Sequence, residues 1–341
     1  MRGGTHTRLY SQAAPRILRR ACALSLRTSV FSGAVPGLLD RRLIFVTGKG
    51  GVGKSTVATA LGLLAARRGM RTIVAELASQ DRLAHTFEQN GERFREVQIA
   101  PNLFTISIDP QLAMEEYLKV KTGPLGQALG STRLFNVFAM ATPGMRELLS
   151  IGKVWELAQL ERRTRGAAPY DLVVVDSPAT GHGIGILRTP KTFADIARVG
   201  PIAHQGRTIA ATIADREFTG VVAVSTAEEM PVRETLWLRD ALVRDGLDLD
   251  ATIINARYPA RFGRGEANEL ERALKRTESP LVRAALRAAL SEHARAATQR
   301  NQQARLRKGL GTKLVVLPYL FAEQIGRPEL ELLATALEPA V

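Results

Sequence analysis

Short apolar runs alternate with longer amphipathic stretches along this chain, a pattern that predicts strands followed by helices. Leu43-Ile44-Phe45-Val46 reads as a buried parallel strand, and Val57 to Arg68, with Leu61, Leu64 and Ala65 on helical spacing, reads as the helix after it. Gly69 predicts a helix stop and Thr72-Ile73-Val74-Ala75 a second strand. Leu103 to Ile108 predicts the next, closed by Asp109-Pro110, and about 55 residues without a strand-like run follow. Within them Leu148, Ile151, Trp155 and Ala158 recur at three- and four-residue steps, which places them on one helical face. Tyr170 to Asp176 predicts another strand, Leu187 to Arg216 helix with breaks at Pro190 and Pro201, and Gly220 to Val224 a return to the sheet. Ser225-Thr226-Ala227-Glu228-Glu229-Met230-Pro231 has the spacing of a capping box and predicts a helix through Trp237 to Val243. Ala251 to Asn255 and Leu314 to Tyr319 are the last two strands predicted, separated by one or two charged helices over 265–308 that break near Pro280. Pro328 opens the final helix.

This order implies an α/β fold, a mostly parallel, doubly wound sheet with helices on both faces and right-handed crossovers. The expected organisation is one domain over 41–341 with helical insertions at about 110–168 and 187–216, preceded by a basic extension over 1–40 that lies outside the fold and is expected to be disordered.

The join between the first strand and its helix turns the reading from fold to chemistry. Thr47-Gly48-Lys49-Gly50-Gly51-Val52-Gly53-Lys54-Ser55-Thr56 has the spacing G-x-x-x-x-G-K-[ST], between a strand and a helix as a phosphate-binding loop requires. Gly48, Gly50, Gly51 and Gly53 let backbone N–H groups curl around an anion, with Val52 and Thr56 completing the cradle and the helix N-terminus adding its dipole. Lys54 is expected at the β- and γ-phosphates of ATP, and Ser55 at a Mg²⁺ ion. Four apolar residues ending in Asp176 place a second carboxylate-bearing strand end beside this loop, where Asp176 can hold Mg²⁺ directly or through water. The expected architecture is therefore of the P-loop NTPase type.

Composition narrows the classes. No run of about 18 uncharged apolar residues occurs, so no transmembrane helix is expected. Cys22 is the single cysteine, which removes an internal disulfide, a CxxC zinc site and a bridging iron–sulfur cluster, and fits a reducing cytoplasm. The net charge of +14 invites a nucleic-acid or membrane-surface reading. Residues 1–40 carry six arginines against Asp40 alone, hence +5 of that total, and read as an Arg-rich organellar transit segment or as an unstructured extension, such as a gene-start artefact. The remaining excess is arginine spread along helices without interleaved aromatics, which favours a solvated basic surface over a nucleic-acid site.

The loop Gly48-Lys49-Gly50-Gly51-Val52-Gly53-Lys54-Ser55-Thr56 resembles that of the deviant Walker A ATPases, which include the MinD/ParA group, nitrogenase iron protein and the ArsA/guided-entry ATPases that target tail-anchored proteins. The resemblance implies a sandwich dimer in which Lys49 reaches the other subunit's nucleotide. Asp176-Ser177-Pro178-Ala179-Thr180-Gly181-His182 resembles the switch II of the ArsA/guided-entry group with Pro and Ala exchanged, and Pro143-Gly144-Met145-Arg146-Glu147 resembles its P-G-x-x-E element. His182 reads equally as a hydrogen-bonding switch residue or a structural one. Asn255 is implied to read adenine, against a turn-forming Asn before Ala256-Arg257, and Pro318 follows the family's proline turn against the base.

One position departs from the pattern. Glu76 matches the first acidic residue of the family's switch I, but Ala78 stands where the Asp that orients the attacking water belongs, with Asp81 three residues on as a substitute carboxylate. Three readings follow: a homodimeric ATPase of the ArsA/guided-entry type acting on a hydrophobic protein client, a weakly hydrolysing subunit of a heterodimer with a related ATPase, and a MinD/ParA-like positioning ATPase with peripheral membrane contact. Arsenite is disfavoured because soft thiolate ligands are missing. The stripe at Leu148, with Phe135, Phe138 and Met140, reads as helical core or as part of a client groove.

Overall fold

The structure, a computed structural model, describes residues 37–77, 82–87, 93–130, 144–164, 166–197, 200–311 and 314–338. Expectations for residues 1–36, Ala78, Asp81, Phe135, Phe138, Met140 and Pro143, and for the side chains of Thr180 and His182, lie outside the described residues.

In chain order the elements are β1 Leu43–Gly48, α1 Lys54–Arg67, β2 Thr72–Glu76, α2 Arg82–Thr86, β3 Val97–Ala100, β4 Leu103–Ser107, α3 Pro110–Gly130, α4 Met145–Leu157 and β5 Leu172–Asp176. They continue with α5 Thr180–Ala197, α6 Pro201–Ala214, β6 Thr219–Thr226, α7 Glu229–Arg244, β7 Ala251–Arg257, α8 Arg264–Arg276, α9 Pro280–Leu310, β8 Leu314–Pro318 and α10 Arg327–Leu337. The strands form one sheet in the order β3-β4-β2-β5-β1-β6-β7-β8, parallel throughout except for β3 against β4. Among the described residues no helix is long and apolar enough to cross a membrane.

Every residue of β1, β2 and β5 is buried, the near-continuous apolar pattern of strands covered on both faces. One face is covered by α1 and α10, with Leu61, Leu64, Leu330 and Leu333 in the same core as Ile44, Val46 and Val174. Helix α1 is buried from Val57 through Ala66, and Gly62 lets it approach β2: a Cβ there would lie 2.6 Å from Val74 Cγ2. The other face is covered by α4, α5, α6 and α7, whose Ile151, Val154, Ile184, Ile209 and Leu238 meet Leu43, Phe45, Val173 and Val175.

Three local expectations are corrected. Strand β3 was not expected; its four residues alternate weakly, and its pairing with β4 exists only as a sheet edge. Pro190 does not break the helix but sits inside α5, where burial and the packing of α6 hold the chain on course: a Cβ at Gly206 would lie 2.9 Å from Pro190 O. The capping box at Ser225 does not form. Helix α7 starts at Glu229 after an extended Glu228 that makes no side-chain cap, and Ser225 Oγ donates to Thr226 O instead.

Candidate nucleotide site

The register places the ends of three strands together. Val46 of β1 pairs with Asp176 of β5, and Asp176 pairs on its other side with Glu76 of β2. β1 is also the strand from which the sheet grows in both directions, the position at which doubly wound sheets bind ligands beyond their carboxyl ends.

The loop leaving β1 requires glycine for specific reasons. At Gly48, with φ +148, a Cβ would lie 2.1 Å from the Val224 carbonyl oxygen of β6. At Gly53, with φ +88, it would lie 2.2 Å from Asn255 Nδ2. Helix α1 then begins at Lys54 with no side-chain cap and no acid in its first turn, so its leading N–H groups remain available to an anion. Lys54 Nζ donates to Lys49 O at 3.1 Å, which folds its ammonium over the loop. Burial lowers the Lys54 pKa, and the Asp176 carboxylate works against that shift. A partly desolvated cation beside a concave run of amides is a site preorganised for phosphate.

Ser55 Oγ donates to Asp176 Oδ2 at 2.5 Å, and Asp176 is only 9% exposed. Glu76 beside it is 4% exposed. A hydroxyl and a carboxylate brought into contact next to a phosphate loop form the hard-oxygen donor set that suits Mg²⁺. Thr47 Oγ1, at the loop's entry, is buried without a hydrogen bond among the described residues. A cleft of about 390 Å³ opens against Gly51, Gly53, Lys54, Ser55 and Thr56, with Ile325 and Leu330 on its far wall.

Asn255 lies at the carboxyl end of β7 and donates from Nδ2 to Val52 O at 3.0 Å, so its amide braces the phosphate loop. The next residue, Ala256, adopts φ +55, a left-handed conformation that costs a non-glycine residue energy, and Gln299 of α9 holds this turn by donating to Ala256 O and accepting from Tyr258 N. Pro318 ends β8 in register with Arg257. Lys49 forms an ion pair with Glu234 of α7. Thus Lys54, Ser55 and Asp176 are gathered in one place, Asn255 touches the loop from β7, and Lys49 turns to α7. Sequence reading missed Glu234, which lies 185 positions from Lys49 on a helix whose other charged residues look the same.

Residues 41–199 match the anion-transporting ATPase family. ATPase BagA of Mycobacterium tuberculosis is 31% identical over 254 residues, covering 72% of this chain and 73% of that protein. ATPase GET3 of Komagataella phaffii is 26% identical over 248 residues, 62% of this chain and 72% of its own. A phosphate loop, a serine of the first helical turn in contact with a strand-end aspartate, and relatives over most of the chain agree: this protein is an ATP-hydrolysing enzyme of the anion-transporting ATPase, or ArsA, family.

Proposed function

We propose that the chain binds Mg·ATP in the loop 47–56 and works as a dimer, with nucleotide state opening and closing its helical layer on a hydrophobic client. The observation that carries the nucleotide part is the 2.5 Å contact between Ser55 and Asp176 beside an inward-turned Lys54. When bound, Mg²⁺ would be held by Ser55 and Asp176 and would neutralise charge on the β- and γ-phosphates. The protein's own part is electrostatic. Lys54 is partly stripped of water, so phosphate charge raises its pKa back and keeps it cationic through the transfer of the γ-phosphoryl group to water. The loop amides bind the same oxygens without reorganising. Lys49 supplies a second cation to the opposite subunit's nucleotide, a role that rests on the family resemblance.

Asp176 leads through Ser177 and Pro178 into α5, and α5 packs on α6 and α7. A change at Asp176 therefore has a short covalent route to the helices covering one face of the sheet. That continuity supports a nucleotide-driven movement of α4, α5 and α6, which lie wholly or partly in the insertions expected at about 110–168 and 187–216.

A second reading is favoured by Ala78: a subunit that binds ATP but needs a related ATPase to supply the missing carboxylate. Mg·ATP turnover and solution mass of the chain, with Lys54→Ala and Ala78→Asp, separate the two. The homodimer reading expects turnover by a species of twice the chain mass, abolished by Lys54→Ala and changed little by Ala78→Asp. Binding with scarcely any turnover, restored by Ala78→Asp, would instead establish the second.

A further inference from the structure

The two lysines of the phosphate loop point in different directions. Lys54 is folded inward onto Lys49 O, whereas the Lys49 ammonium is held by the Glu234 carboxylate. Glu234 is fixed in space: it lies in the second turn of α7, between the buried Val232 and Thr235, and Thr235 Oγ1 secures that turn by donating to Pro231 O at 2.8 Å. The side chains of Lys49 and Glu234 are 32% and 31% exposed, so the pair is open to solvent and to an approaching surface. Met230 and Trp237, which are 55% and 51% exposed, flank Glu234 four residues before and three after it, on the same side of α7.

A carboxylate in contact with Lys49 competes with any phosphate for that ammonium. A half-exposed ion pair biases such an equilibrium by only about two- to fivefold. The several negative charges of a triphosphate therefore suffice to displace it, but only when they are brought to Lys49 from outside, because this loop's own phosphate site is served by Lys54. We infer that Glu234 is a positioning residue that keeps Lys49 folded back on its own subunit until a second ATPase subunit presents its nucleotide. The inference rests on the dimer reading above. It gives the pair a sign: by competing with the partner's nucleotide for Lys49, Glu234 raises the protein concentration at which nucleotide-loaded dimers form.

The test uses the full chain carrying Trp155→Phe, which leaves Trp237 as the sole tryptophan. Sedimentation and Trp237 fluorescence are followed with a non-hydrolysable Mg·ATP analogue for Glu234→Gln, Glu234→Asp, Lys49→Met and the Lys49→Met/Glu234→Gln double variant. Glu234→Gln should assemble at a protein concentration roughly two- to fivefold lower, Glu234→Asp should behave like the parent, and the double variant should match Lys49→Met. An unchanged assembly concentration in Glu234→Gln, or an equal shift in the Lys49→Met background, overturns the inference. If Lys49→Met assembles and hydrolyses ATP like the parent, the dimer reading fails and takes this inference with it. If Lys49→Met is impaired while Glu234→Gln is neutral, only the role of Glu234 fails.

Discussion

Gly53 shows how much of this site depends on one missing side chain. Its φ of +88 and the position of Asn255 Nδ2, 2.2 Å from where a Cβ would stand, leave no room for alanine. The left-handed backbone alone costs a non-glycine residue about 1–2 kcal/mol, and the added methyl must also push Asn255 off Val52 O. Gly53→Ala is expected to raise the Kd for ATP at least about tenfold, which is about 1.4 kcal/mol, while the protein still folds. Isothermal titration beside a thermal melt checks both halves; unchanged affinity would show that Asn255 does not shape the loop. This residue-scale chemistry was largely legible beforehand, because a phosphate loop is contiguous and its glycines, lysine and serine are fixed by backbone geometry. The partner of Asn255 was not: its amide could turn to a base, to a turn of its own or to the loop, and only the placement of β7 beside β6, which in turn lies beside β1, brings it to Val52.

At the scale of elements, a buried ionic cluster ties the helical layer to the sheet. Glu156 of α4, 1% exposed, accepts from Arg162 Nε at 3.1 Å and from the Arg163 amide at 2.9 Å, and pairs with Lys153 at 3.0 Å. Lys153 also reaches Glu116 of α3 at 2.9 Å, and Arg162 joins Glu96, which receives the Tyr170 hydroxyl at 2.6 Å. Burial pushes the Glu156 pKa up, but Lys153, the Arg163 amide and Arg162 outweigh it and hold the carboxyl below its usual range. A depressed carboxylate stabilises the fold above its unfolded pKa and loses that contribution as pH falls through the folded value. Glu156→Gln should therefore cost about 3–5 kcal/mol at pH 7, the range for breaking a buried pair. The penalty should shrink as pH drops below the ordinary glutamate value of about 4.3. Urea unfolding of both proteins across that range measures it; a penalty independent of pH would show that the cluster acts through shape alone. The corrected elements teach the same lesson. Pro190 and β3 obey tertiary demands, a covered helix face and an edge pairing, that local propensity does not register, whereas β1 declared itself by a continuous apolar run and α1 by apolar residues on helical spacing.

For the whole molecule the question is what lies opposite Lys49. Within one chain Lys54 is folded inward onto Lys49 O, where the proposed function has it serve that chain's own phosphate, and the loop's other lysine is paired with Glu234. The mostly parallel sheet followed from the strand–helix alternation and is found as expected, whereas the strand order that brings the ends of β1, β2 and β5 together is known only from the structure. A pair 185 positions apart could not be read from the sequence, because nothing in the spacing of charges on α7 distinguishes Glu234 from its neighbours. The dimer reading makes a demand that a monomeric ATPase does not. A Lys54→Ala subunit cannot serve its own nucleotide but keeps Lys49, and a Lys49→Met subunit keeps its own site but cannot serve its partner's. The most direct measurement is ATP turnover by each variant alone and by their equimolar mixture. The account predicts two nearly inactive proteins whose mixture recovers a substantial fraction of the parent's rate, because mixed dimers contain one complete site; a mixture no more active than its components would contradict it.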